Sequence, residues 1–228
     1  ILQKLLPFAS SSTSPAKHPI RALVLTPTRE LAIQVEESIK VYAKHTPLKS
    51  LVVFGGVDIK TQTPHLKTGV EILVATPGRL LDLMGQGFVH LNGLEIFVLD
   101  EADRMFDMGF LPDVRRIVKA VPVQRQTMMF SATFPPDVEL LAQQALKQPQ
   151  KIAMGISRPA YTVTHALYPV PSHLKSQLLL ELLKRTDTDS VLVFARTKYR
   201  AQKVAQQILR AGFKVTSLHG DRSQGQRQ

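Results

Sequence analysis

The chain has 228 residues, 44% hydrophobic and 21% charged, which excludes wholesale disorder and collagen-like or fibrous architectures and leaves room for one large domain or one and a part. With no Cys, disulfide frameworks, thiolate metal sites and cysteine nucleophiles are excluded, and a reducing compartment fits. The net charge of +11 favours a polyanionic partner, and it is unevenly spread: residues 1–155 carry 17 basic and 14 acidic side chains, residues 156–228 carry 12 and 4. No apolar run approaches the roughly 18 residues of a membrane helix, and Ile1–Leu6 lacks the apolar stretch of a signal peptide. A soluble, cytoplasmic protein with no membrane partner is expected.

In chain order, short β-branched apolar runs alternate with helical patterns. The runs Ala22–Leu25, Leu51–Phe54, Ile72–Ala75, Ile96–Leu99, Thr127–Phe130 and, more weakly, Lys151–Met154 predict strands. Between them, Leu31, Val35, Ile39 and Tyr42 form one helical stripe, Val114, Ile117, Val118 and Val121 another, and Val138, Leu141 and Ala145 a third. Continuously apolar strands alternating with helices predict an α/β fold, a parallel sheet covered by helices on both faces. Gly155–Pro159 interrupts the rhythm. It then restarts with predicted strands at Thr164–Val170, Val191–Phe194 and Lys214–Leu218 and predicted helices at His173–Leu183 and about Lys198–Ala211. The expected organisation is a first domain over residues 1–154, a linker over 155–163 and the start of a second domain over 164–228. The chain opens on Ile1 and closes on a polar run, Asp221–Gln228, so a fragment truncated at both ends is expected.

In an open parallel sheet, ligands gather beyond the carboxyl ends of the strands. The residues there are Pro27-Thr28-Arg29-Glu30, Gly55-Gly56, Thr76-Pro77-Gly78-Arg79, Asp100-Glu101-Ala102-Asp103 and Ser131-Ala132-Thr133. Asp100 offers a hard oxygen ligand for Mg²⁺, and Glu101 a base able to orient water for attack on a γ-phosphate. Both acids could instead cap the following helix. Ser131 and Thr133 supply hydroxyls that could relay the position of one loop to another, or could form an ordinary cap before Pro135-Pro136. The glycines, Thr76, Arg29 and Arg79 present amides, a hydroxyl and guanidiniums suited to a sugar-phosphate chain, although turn chemistry accounts for Gly and Pro, and local salt bridges for Arg, equally well.

Taken together, these clusters resemble, in order, motifs of the DEAD-box RNA helicases. Asp100–Phe110, spelling DEADRMFDMGF, is most similar to the bacterial RhlE-type branch. Val193–Lys198 and His219-Gly220 with Gln224 and Arg227 resemble the first motifs of that family's second domain. The resemblance implies RecA-like domains closing over ATP-Mg²⁺ and single-stranded RNA or a short RNA duplex. It implies catalytic roles for Asp100, the metal ligand, and Glu101, and coupling roles for Asp103, Ser131 and Thr133. It also implies RNA contacts by Pro27, Thr28, Arg29, Gly55, Gly56, Thr76, Pro77, Gly78 and Arg79 in the first domain and by Arg196, Thr197, Gly220, Gln224 and Arg227 in the second.

The spelling also departs from the family. No Gly in the chain is followed by Lys, so G-x-x-x-x-G-K-[ST], the phosphate-cradling loop, does not occur, and the chain stops before the family's arginine-finger motif. The expectation is an ATP-dependent RNA helicase in the parent protein and an ATPase-deficient piece here. The alternatives are a non-catalytic RNA clamp, a DNA helicase or translocase of the same superfamily, and a metal-dependent phosphohydrolase, which would leave the other four clusters idle.

Overall fold

Five short strands pair side by side, all parallel, in a computed structural model that describes residues 1–12, 14–153, 163–222 and 224–227. They are β1 (Ala22–Leu25), β2 (Ser50–Val53), β3 (Ile72–Ala75), β4 (Ile96–Leu99) and β5 (Gln126–Met129), in the spatial order β2-β3-β1-β4-β5. The side-chain period of two sends Leu23, Leu25, Leu73, Ala75, Phe97 and Leu99 into one core and Ala22, Val24, Ile72, Val74, Ile96 and Val98 into another on the opposite face. Both faces are covered, so β1, β3 and β4 must be apolar at every position, and all their residues are buried. This is the expected α/β sheet with flanking helices, consistent with a RecA-like domain.

The helices of this unit are α1 (Leu2–Leu5), α2 (Arg29–Ala43), α3 (Thr63–Lys67), α4 (Pro77–Gly85), α5 (Ala102–Asp107), α6 (Leu111–Ala120) and α7 (Pro136–Ala145). Their starts follow the chemistry of helix N-termini. The Thr28 hydroxyl caps α2 by accepting from the Leu31 N–H at 3.3 Å, and Pro77 and Pro136 open α4 and α7, where a missing N–H costs nothing. Val114, Ile117 and Val121 are buried, with Val118 packed beside them, and Val138, Leu141 and Ala145 are buried on α7, which packs against α5 and α6. The α2 stripe is rotated from the expected one: Ala32 and Glu36 are buried, Val35 and Ile39 pack beside them, and Tyr42 is exposed. Glu36 is tolerated there because it pairs with Lys40 at 2.9 Å and accepts from the Ser50 hydroxyl at 3.1 Å.

Strand ends depart from the apolar runs by one residue. β2 starts at Ser50 and stops before Phe54, and β5 starts at Gln126 and stops before Phe130, because the ladder with β3 and β4 sets the limits rather than hydrophobicity. Lys151–Ala153 makes no ladder and Ile152 is exposed, so the sixth expected strand is not formed; Met154 lies outside the described residues.

The chain divides into two compact units, Ile1–Ala153 and Met154–Gln228. The expected linker lies outside the described residues except for Val163, and so does Thr13. The second unit contains α8 (Lys175–Arg185), α9 (Lys198–Arg210) and α10 (Gln224–Arg227). None of its three expected strands forms: 164–170, 191–194 and 214–218 carry no ladder, and Leu167, Leu192 and Phe194 are largely exposed. A strand exists only where a neighbour completes its hydrogen bonds. Among the described residues, no helix is long and apolar enough to cross a membrane.

Candidate functional site

The strands end in register. Leu25 lies beside Ala75 and Leu99, Ala75 beside Val53, and Leu99 beside Met129. Since every strand is parallel, the residues that follow them emerge along one edge. Across it run Gly55-Gly56 after β2, Thr76-Pro77-Gly78-Arg79 after β3, Pro27-Thr28-Arg29 after β1, Asp100-Glu101 after β4 and Ser131-Ala132-Thr133 after β5. At the usual strand spacing the distance from β2 to β4 is about 14 Å.

The β2-β3-β1 half is the basic one. A Cβ on Gly56, whose φ is +80°, would fall 2.2 Å from Arg29 Nη2, so the guanidinium occupies the space that only glycine leaves. Arg79, with a side chain 9% exposed, donates from Nη2 to the Val57 carbonyl at 2.8 Å, has Nε 3.8 Å from Asp82, and keeps Nη1 buried without a protein partner. Gly55 and Gly78 face open space where a Cβ would stand. Pro27, Thr76 and Pro77 are buried, and Thr28 is occupied in capping α2, so these residues shape the edge more than they present side chains on it. The Thr26 hydroxyl, donating to the Thr28 carbonyl at 3.2 Å, and the Val57 carbonyl also hold this half together; neither had a signal in the spacing of the motifs.

The β4-β5 half is the acidic one. Asp100 and Ala102 are tied to opposite neighbours, Asp100 N–H to the Leu25 carbonyl at 2.9 Å and Ala102 N–H to the Phe130 carbonyl at 3.0 Å. Between them Glu101 sits at φ +50°, left-handed backbone that a non-glycine residue keeps only where its surroundings demand it. Neither acid caps α5: Glu101 makes no side-chain cap bond, and Asp100 Oδ1 accepts from the Glu101 N–H at 3.0 Å. Burial pushes the Asp100 carboxyl up; the Glu101 N–H opposes this, and the Glu101 charge adds to it. Glu101 pairs loosely with Arg104 at 3.3 Å, an i,i+3 contact legible in the spelling.

Asp103 is joined to the loop after β5. Its Oδ2 accepts from the Thr133 N–H at 2.9 Å and hydroxyl at 2.8 Å, and its own N–H donates to Ser131 Oγ at 3.1 Å. Ser131 Oγ donates in turn to the Thr133 carbonyl at 2.7 Å. Ser131 thus satisfies a first-turn amide of α5 from another strand, which is both a cap and a link between loops. Burial pushes Asp103 up, but the bonds from Thr133, Ser131 and the Arg104 N–H outweigh it and hold the carboxyl below its usual value.

In the second unit, the Thr197 hydroxyl caps α9 by accepting from the Arg200 N–H at 3.2 Å, Arg196 is exposed just before it, and Gly220 lies in a turn. Gln224 and Arg227 lie on α10, and their side chains are outside the described residues.

Two family models match. The DEAD/DEAH box helicase model covers residues 2–141, and the helicase conserved C-terminal domain model covers residues 174–228. The chain belongs to the DEAD/DEAH box helicase family. A helicase of this family works with ATP and Mg²⁺ and acts on nucleic acid. Among the described residues no cluster of three His, Cys, Asp or Glu could hold a metal by protein ligands alone. The edge still suits Mg²⁺ in this helicase, because that ion uses one or two carboxylates and takes its remaining ligands from phosphate and water. Asp100, half-buried and disfavoured as a bare anion, has the chemistry such a site asks of a carboxylate.

Proposed function

We propose that the chain is part of an ATP-dependent RNA helicase, most like the RhlE-type branch, that clamps single-stranded RNA and opens short duplexes in the cytoplasm. The domains are residues 1–154 and 164–228, joined by 155–163. The observation that carries this reading is the division of one sheet edge into a basic half and an acidic half, with Asp103 and Thr133 bonded across the β4-β5 junction. Bound at Asp100, Mg²⁺ supplies charge neutralisation at the phosphates. Glu101 orients the attacking water and accepts its proton at a carboxylate oxygen. Asp103, Ser131 and Thr133 transmit movement of the Asp100-Glu101 loop to the loop after β5. Arg29, Arg79 and the backbone amides of Gly55, Gly56 and Gly78 hold the RNA backbone, while Pro27, Thr28, Thr76 and Pro77 keep those turns in place. Arg196, Thr197, Gly220, Gln224 and Arg227 contribute from the second domain.

These 228 residues alone hydrolyse ATP weakly, since no G-x-x-x-x-G-K-[ST] occurs among them. The deciding experiment titrates the chain with a fluorescein-labelled 20-nucleotide oligouridylate and its DNA counterpart over a range of salt. Tighter RNA binding is expected, with Arg29→Gln lowering the magnitude of the salt slope by about 1. Equal affinity for DNA would favour a DNA helicase, and robust RNA-stimulated phosphate release would overturn the expected weak turnover.

A further inference from the structure

β2 is an edge strand, bonded to β3 on one side only, and its ladder ends at Val53, whose carbonyl accepts from the Thr76 N–H at 3.1 Å. The next residue, Phe54, turns its N–H and carbonyl to Gln62. The Phe54 N–H donates to Gln62 Oε1 at 3.0 Å, and Gln62 Nε2 donates to the Phe54 carbonyl at 3.1 Å. A carboxamide carries one acceptor and a donor group in a plane, so it can complete a peptide as a neighbouring strand would. Gln62 is 8% exposed, which keeps water from competing for either bond. It is itself held in place after a turn at Ile59–Thr61, capped by Asp58 Oδ1 accepting from the Lys60 N–H at 3.0 Å.

Two residues beyond Phe54 comes Gly56, with Arg29 in its Cβ space. The segment from Phe54 to Gly56 is thus anchored by Gln62 at one end and abuts the Arg29 guanidinium at the other. We infer that Gln62 is a positioning residue: it closes the free edge of β2 so that the Gly55-Gly56 turn sets the place of Arg29. The clamp is independent of any ligand; its consequence for RNA rests on the function proposed above.

The test uses the whole chain with Gln62→Leu, which removes both bonds, and Gln62→Glu, which keeps the acceptor and loses the donor. Amide exchange at Phe54 should accelerate about tenfold in the Leu variant and less in the Glu variant. Affinity for the labelled oligouridylate should fall about three- to tenfold in the Leu variant. The Arg29→Gln background separates positioning from general loosening, because Gln62→Leu should there weaken binding no further. Additive losses, or unchanged exchange at Phe54, would overturn the inference. If the Leu variant does not fold, Gln62→Met, which also lacks both bonds in a side chain of similar length, answers by the same two criteria. Should the unmodified chain fail to bind the oligouridylate, the RNA reading falls, and exchange at Phe54 alone decides whether Gln62 holds the turn.

Discussion

Asp103 Oδ2 accepts two hydrogen bonds from one residue, Thr133, at 2.9 Å from its N–H and 2.8 Å from its hydroxyl, across thirty positions of sequence. Adjacent parallel strands make this meeting possible. α5 begins where β4 ends, the loop carrying Thr133 begins where β5 ends, and β4 and β5 are neighbours. A carboxylate so held ties the two loops together.

Thr133→Val removes the hydroxyl donor and keeps the N–H. It should destabilise the first unit by about 0.5–1 kcal/mol in urea denaturation, the small end of the range because Thr133 is exposed. The Asp103 carboxyl is held below its usual value, so its stabilising contribution is present above the unfolded carboxylate pKa and is lost as pH falls through the lower folded one. The gap between Thr133→Val and the unmodified chain should therefore narrow in that acidic window. A gap that stays constant there would mean the hydroxyl does not act through the Asp103 carboxylate.

Gly56→Ala should cost about 1–2 kcal/mol, since it places a Cβ on left-handed backbone and against the Arg29 guanidinium. Gly55→Ala, whose Cβ meets nothing, should stay within about 0.5 kcal/mol. Gly78→Ala in the first turn of α4 should stabilise by a few tenths up to about 1 kcal/mol. Parallel urea titrations compare the three. If Gly56→Ala proves as mild as Gly55→Ala, the proximity of Arg29 is not what requires glycine there.

Asp100 runs the other way. Burial raises its carboxyl, so the ionised side chain costs stability at neutral pH, and the cost is relieved as pH falls through the raised folded value toward the ordinary one. Asp100→Asn should be more stable than the unmodified chain at pH 7.5, with the advantage shrinking toward pH 4. Denaturant midpoints at stepped pH measure it. An Asn variant less stable at every pH would show that the charge is favourably held without any cation.

The three central strands were legible because burial on both faces leaves no polar positions to blur the run. The β2 and β5 edges were displaced by a residue, as a half-covered strand tolerates Ser50 and Gln126 and the pairing register decides where it stops. Tyr42 was misplaced onto the core face because a stripe can be drawn through α2 in two neighbouring ways, and buried Glu36 hid the correct one. In 191–194 the apolar run is real but finds no ladder, so hydrophobicity without a partner does not make a strand.

Composition and spacing alone determined that the chain would build a parallel α/β sheet and that its polar clusters would follow the strands, because local periodicity and turn chemistry are written residue by residue. Only tertiary structure decided which clusters touch. Arg29 meets Gly56, Asp103 meets Thr133 and Gln62 meets Phe54, contacts that depend on strand order and register or on how a loop folds back, and that residue spacing does not encode.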